Sequence, residues 1–406
     1  MNQCWGRVLL LLAPCCLGPF TAQCQIDPFD RELIQVGYNA PLEGQAPIAA
    51  YAFYYRNVPD FLQHTNLTLR VALAPTYLES ELGIRSILDQ YTDLGIGVQG
   101  GGFDDNYYQY RNGTYNPNAS FDGFGAETDV SLYHLFNPGM TIPLNGLLRA
   151  GVRYSTYTST AQTYPDFKVP PPHGTFIVRA GFRWGGKEPV LFPPLAMEFS
   201  AWYEGQFRTP SGNYGFGDFT VEPQTHLFWG EALISYTLPR SRQNFFLSVS
   251  AGTSIDPDRF SAYRLGALLP LDAEYPLSIP GYYYQELSAQ SFVLFSANYI
   301  LPVEHRKRWN LVFTGASAWV DYLPGEEQPG NWNSGVGGGI LYQSPAWKLM
   351  VGYGYGINAI RSSGRGANSI GILLQFDLGH VRQELQKSEG ATPSHGLQRM
   401  LEILQM

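Results

Sequence analysis

The chain has 406 residues, of which 15% are charged and 15% aromatic, with 27 Tyr, 24 Phe and 44 Gly. Soluble domains carry nearer ~25% charged residues, whereas few charges with many aromatics suit strands that are apolar on one face and polar on the other. The net charge of −8 argues against nucleic acid as a partner, and with Cys only at positions 4, 15, 16 and 24, no Cys-based metal or redox site is available to the rest of the chain.

The first feature along the chain is an export signal, expected over 1–25. Arg7 precedes the apolar run Val8-Leu9-Leu10-Leu11-Leu12-Ala13-Pro14-Cys15-Cys16-Leu17, which fits a secretory core and is too short to cross a bilayer as a helix. Cleavage is expected within Thr21-Ala22-Gln23-Cys24-Gln25, and Gln23 before Cys24 makes a poor acylation signal. Nothing after residue 25 reads as a transmembrane helix. A membrane-bound chain must then cross as a closed barrel, the other fold that satisfies every backbone group in lipid.

The body, 26–378, reads as sixteen alternating strands at 32–39, 48–57, 66–77, 80–90, 92–103, 125–135, 146–158, 174–185, 194–207, 225–238, 243–254, 291–303, 308–320, 334–342, 346–358 and 366–378. The alternation is sharp in the seventh, where Leu148, Ala150, Val152 and Tyr154 share one face and Leu147, Arg149, Gly151 and Arg153 the other. In the eighth, Phe176, Val178, Ala180, Phe182 and Trp184 oppose Arg179, Gly181 and Arg183. The apolar faces run about nine to eleven residues, enough for a tilted strand to cross the hydrocarbon layer; strands of soluble sandwiches are nearer five or six. Even-to-odd links are mostly short (Pro239–Arg242, Glu304–Lys307, Gln343–Pro345) and odd-to-even links mostly long (104–124, 159–173, 208–224, 255–290, 321–333, 359–365). That parity suits a barrel with short periplasmic turns and long outer loops.

The last strand ends Ser369-Ile370-Gly371-Ile372-Leu373-Leu374-Gln375-Phe376, which looks like the C-terminal signal read by the outer-membrane assembly machinery, although a tail over 379–406 follows it. Leu397, Met400, Leu401 and Leu404 fall at helical spacing, so the tail is expected to carry a short amphipathic helix or to be disordered.

The link before the twelfth strand reads Asp258-Arg259-Phe260-Ser261-Ala262-Tyr263-Arg264-Leu265-Gly266, then Ile279-Pro280-Gly281-Tyr282, then Phe292-Val293-Leu294-Phe295-Ser296-Ala297-Asn298-Tyr299-Ile300-Leu301-Pro302-Val303. This resembles the sixth loop and twelfth strand of the bacterial surface antigen barrels, the superfamily of the outer-membrane protein insertase and the two-partner secretion transporters. The likeness in motifs covers roughly 240–378. It implies a loop folded into the lumen, and a role in transport or insertion without ATP or cofactor. Two departures are visible. The family loop carries an Arg before Gly-Tyr/Phe that pairs with an Asp on the following strand; here those positions are Pro280 and Thr314. The family's latch therefore does not carry over, and the loop must pack by other contacts. Only about ten residues separate the signal from the first strand, so the chain looks like a member without periplasmic POTRA repeats.

On the polar faces, acidic Glu127 and Asp129 stand beside Arg149 and Arg153, and Arg179 and Arg183 beside Glu198 and Glu204, with Glu231 on the next strand. Arg70, Arg85 and Asp89 are expected to join from the third and fourth strands. The plain reading is an ion-pair network lining a wet lumen; the functional one is a permeation surface that selects by charge. The Gly-rich stretches 100–102 and 337–339 lack the helix and Lys of a phosphate loop, and glycine in a strand allows bends or the close approach of the long loop. Enzyme signals are weak: the seven His are mostly isolated, and His134 and His226, which face outward, have no evident nucleophile. The sequence thus predicts an all-β transmembrane antiparallel barrel of about 16 strands, with a long loop between strands 11 and 12 in the lumen, in the outer membrane of a Gram-negative-type bacterium. Its expected partners are membrane lipid and, through 366–378, the assembly machinery. A passive diffusion pore and an adhesive surface barrel are the alternative roles.

Overall fold

The computed structural model describes residues 26–382, apart from 28, 47–48, 103–105, 187–191, 211, 270–276 and 363. The signal at 1–25 and the tail helix at 397–404 lie outside the described residues.

In chain order the strands are β1 (Arg31–Pro41), β2 (Ala49–Pro59), β3 (Leu67–Ala74), β4 (Tyr77–Ile84), β5 (Thr92–Gly101), β6 (Asn106–Arg111), β7 (Thr114–Leu135), β8 (Leu144–Ser159), β9 (His173–Gly186) and β10 (Leu195–Thr209). They continue as β11 (Gly212–Tyr214), β12 (Phe219–Val221), β13 (Gln224–Thr237), β14 (Asn244–Ile255), β15 (Tyr263–Leu265), β16 (Leu287–Pro302), β17 (Trp309–Tyr322), β18 (Trp332–Gln343), β19 (Trp347–Arg361) and β20 (Gly364–Asp377). Sixteen of them form a closed antiparallel barrel; β6, β11, β12 and β15 are short additions in the links. The sheet closes because β1 pairs with β20, from Leu33 opposite Asp377 to Pro41 opposite Ser369. Closure leaves no unpaired edge for lipid to meet, the condition for a sheet to cross a bilayer.

The two faces separate as the alternation requires. Leu148, Val152 and Tyr154 of β8 are exposed outward at 51%, 54% and 58%, while Leu147 points into the lumen at 9%. The same outward exposure recurs around the ring at Val98, Val130, Phe199, Leu247, Phe313 and Val351. In water such a continuous apolar belt would be a large unsatisfied surface; against acyl chains it is the anchor.

Every predicted strand is present, but several boundaries move. The third and fourth turn at 75–76 rather than 78–79, so the fourth ends at Ile84 and 85–91 is a turn. Pro75 explains this: it has no N–H for the ladder and biases its neighbour to a turn. The link expected at 359–365 shortens to 362–363, because β19 and β20 resume pairing past a register shift between Gly356 and Ile360. The stretch 104–124 is not open loop: β6 hydrogen-bonds to an extension of β7 that starts at Thr114. After Asp377, residues 378–382 form a helical turn held to β1 by Arg382–Glu32 at 2.8 Å.

Candidate functional site in the lumen

The described parts of the link between β14 and β16, 256–269 and 277–286, run inside the barrel, and the inner wall there is made to receive them. Inward positions on β18, β19 and β20 are glycines: 335, 337, 339, 352, 354, 356 and 371. At most of these positions a side chain would meet the loop, while at Gly339 it would meet the backbone of β19. A Cβ on Gly335 would sit 2.0 Å from the Pro280 carbonyl, and one on Gly354 3.0 Å from Leu268, Pro280 and the Gly281 amide. Gly281 itself has φ +84, and its missing Cβ would lie 1.8 Å from the Gly356 amide, so no other residue fits that contact. Its N–H donates to Ser369 Oγ at 3.2 Å. Leu265, Ile279 and Tyr282 join Leu287, Phe292, Leu294 and Val320 in a dry cluster. A Cβ on Gly337 would meet Thr314 of β17 at 3.0 Å and Leu268 at 3.1 Å.

Three buried ion pairs pin the loop. Arg208 of β10 meets Asp258 at 2.8 Å. Asp258 also accepts the backbone N–H groups of Glu222, Phe260 and Ser261. Arg259 meets Glu326, from the β17–β18 link, at 2.9 Å; it lies between the rings of Phe121 and Phe219, 5.2 and 4.9 Å from their centroids. Arg264 approaches the same Glu326 at 3.6 Å and donates to Ser288 Oγ at 2.7 Å. At the loop's far end Glu286 takes two bonds from Arg361 of β19, at 2.8 and 3.0 Å, and one from the Tyr283 N–H at 2.7 Å. Arg361 Nη2 also donates to the Gly281 carbonyl at 3.2 Å. Burial pushes the Glu286 carboxyl above its ordinary range, against the pull of Arg361. The polarity of this last pair is the reverse of the latch that the family resemblance describes: the cation is on the wall and the carboxylate on the loop.

Above the loop, Phe121, Tyr157, Phe167, Tyr214, Phe219 and Val221 form a second dry cluster, with Tyr107, Val169 and Phe260 packed on it. It draws together the long links and the end of β7, so the loop is capped as well as pinned.

The predicted luminal charges lie on the opposite wall. Arg153 meets Glu127 at 2.8 Å, Arg149 meets Asp129 at 3.3 Å, Arg179 meets Glu204 at 2.7 Å and Arg183 meets Glu198 at 3.3 Å. Glu231 stands on β13, between Ser200 of β10 and Ser250 of β14. Arg179 and Arg183 also lie over Trp229 and Trp202, at 5.5 and 5.9 Å from the ring centroids. Arg70 joins through Glu79 and Glu81 at 2.8 and 2.9 Å, while Arg85 donates to Thr68 Oγ1 at 3.2 Å and lies 3.8 Å from Asp60, and Asp89 sits in the turn 85–91. A cavity of about 200 Å³ remains here, lined by Arg70, Glu81, Tyr133, Arg149, Arg183 and Trp202 among others.

Sequence reasoning missed Arg208, Glu286, Glu326 and Arg361 altogether, and quoted Asp258, Arg259 and Arg264 as part of a motif rather than as ion-pair partners. One signal was available: isolated Arg at the ends of long apolar strands in a charge-poor chain. His134 and His226 do face outward, and each has a hydroxyl on Nδ1: Thr92 at 2.8 Å and Tyr203 at 2.9 Å.

Apolar belt, closed sheet and loop-filled lumen together define a transmembrane β-barrel of the outer-membrane type. Among solved structures the chain is similar to CdiB from Acinetobacter baumannii, with 10% identity and a TM-score of 0.56 over 86% of this chain and 60% of that one. It is similar to BamA from Haemophilus ducreyi lacking POTRA domains 1–3, with 12% identity and a TM-score of 0.53 over 86% and 71%, and to CdiB from Escherichia coli, with 12% and 0.51 over 84% and 63%. The chain thus spans less than two thirds of either CdiB. The fold is shared with these CdiB and BamA barrels. No family model matches the chain, and no curated protein does.

Proposed function

We propose that this chain is an outer-membrane barrel, delivered by its signal and by its last strand, that serves transport or membrane insertion of a polypeptide client and rests with its lumen shut. The short turns face the periplasm and the long links the outside. One observation carries the reading: the loop 256–286 is fastened at three places by ion pairs whose side chains are at most 3% exposed. A passive pore must keep a water-filled path beside any loop it holds, whereas a barrel that opens only when engaged by a client needs its solute path blocked between events. The wet ladder opposite offers a polar surface along which an extended chain could move by exchanging hydrogen bonds.

Planar-bilayer recording tests this. Intact protein is expected to give almost no current, and a variant lacking 258–287 steady open-channel current. Steady current from the intact protein would replace the reading with the diffusion pore.

A further inference from the structure

The short-turn rim is not electrically uniform. The turns 60–66, 85–91 and 136–143 between them hold Asp60, His64, Arg85 and Asp89. The turns 238–243 and 303–308 hold Arg240, Arg242, Arg306, Lys307 and Arg308, with His305, against one carboxylate, Glu304. β14 pairs with β16, with Asn244 opposite Ile300, so these two turns are neighbours on the rim. Glu304 accepts the backbone N–H of Arg308 at 3.1 Å, and none of the five cations takes part in an ion pair among the described residues. In a chain of net charge −8, this sector is a concentrated exception.

Directly beneath it, on the lipid side, lie two runs of rings, Phe245–Tyr299–Phe313 and Trp309–Tyr342–Trp347. Phe245 and Tyr299 are 4.9 Å apart, Tyr299 and Phe313 6.1 Å, Trp309 and Tyr342 4.9 Å, and Tyr342 and Trp347 4.6 Å. Trp and Tyr at strand ends mark headgroup level, and Trp309 follows Arg308 in sequence. The cations are therefore held where lipid phosphates lie, with ring faces below them for the upper acyl chain. Guanidinium groups bind phosphate in paired hydrogen bonds, and clusters of such charges at a membrane surface select anionic lipid.

We propose that the turns 238–243 and 303–308 form a binding site for an anionic glycerophospholipid of the leaflet meeting this rim. The choice of leaflet rests on the orientation given above. The observable is lipid retention rather than current, so failure here is distinguishable from failure of that reading.

The experiment uses the full chain in neutral detergent, mixed with equal amounts of phosphatidylglycerol and phosphatidylcholine, with bound lipid read by native mass spectrometry. Phosphatidylglycerol should be retained about fivefold or more over phosphatidylcholine, with the preference falling as salt rises. Replacing all five cations by Gln should abolish the preference, with barrel folding checked by gel mobility; should that variant misfold, R240Q/R242Q and R306Q/R308Q are each expected to weaken it. Equal retention of the two lipids, or a preference unchanged in folded variants, overturns the site. So does a photo-cross-linker at position 306 that captures a periplasmic protein in cells and no phospholipid.

Discussion

In the ladder of β7–β10 and at the lumen loop, Arg with a carboxylate is put to opposite uses. Along β7–β10 the four cations keep 24–32% of their side chains accessible, and their partners sit one strand away on a flat ladder. At the loop, Arg208, Arg259 and Arg361 keep 0–2% and join parts of the chain far apart in sequence. The ladder cations are partly wet and so only loosely tied, although their carboxylates, 6–10% exposed, still need a partner. A buried pair is costly to assemble and costlier still to halve, because the survivor is left charged and dry. The first arrangement keeps a surface wet and neutral on balance. The second fixes one conformation of a loop against the alternatives.

Substitutions on each side should separate these uses. Glu286→Ala strands the Arg361 guanidinium in the dry cluster and should cost about 3–5 kcal/mol. A lowered thermal midpoint in the gel-shift assay for folded barrel would measure it, together with flickering current from a loosened loop. Gly354→Val places methyl groups where Leu268, Pro280 and Gly281 already lie at 3.0 Å. Overpacking of this kind costs about 1–3 kcal/mol, and the current should be smaller than after deletion of 258–287; a silent variant of unchanged stability would mean that the glycine mat is incidental. Arg153→Ala leaves Glu127 without its partner but replaces a half-wet cation, and should cost the least of the three, about 1–2 kcal/mol. Its larger effect belongs in the ion selectivity of the loop-deleted channel, which should move toward cations, as reversal potentials in asymmetric salt would show.

Alternation and link length carried nearly the whole wall into view, because period-two patterning is a local property that each strand states for itself. The ladder was visible for the same reason: Glu127 opposite Arg153 and Glu204 opposite Arg179 follow once strands are set side by side. The loop's fastenings were not, since Arg361 and Glu286 are 75 residues apart and Arg259 and Glu326 meet only after the long links fold. The turn at Pro75 was misplaced by a few residues because Thr76, Tyr77 and Leu78 continue a pattern that the proline had already interrupted. Glycine was half-read: 337–339 was assigned to close approach of the long loop, but the mat extends over three strands and only their registry shows it.

The seam between Arg31–Pro41 and Gly364–Asp377 sets a condition on biogenesis. The strand β1 finds its second neighbour only when β20, the last strand of the ring, has been made. Until then the nascent chain has two raw edges and must be kept from pairing with strangers. A premature stop codon even fourteen or so residues before Asp377 would yield fifteen competent strands and no ring.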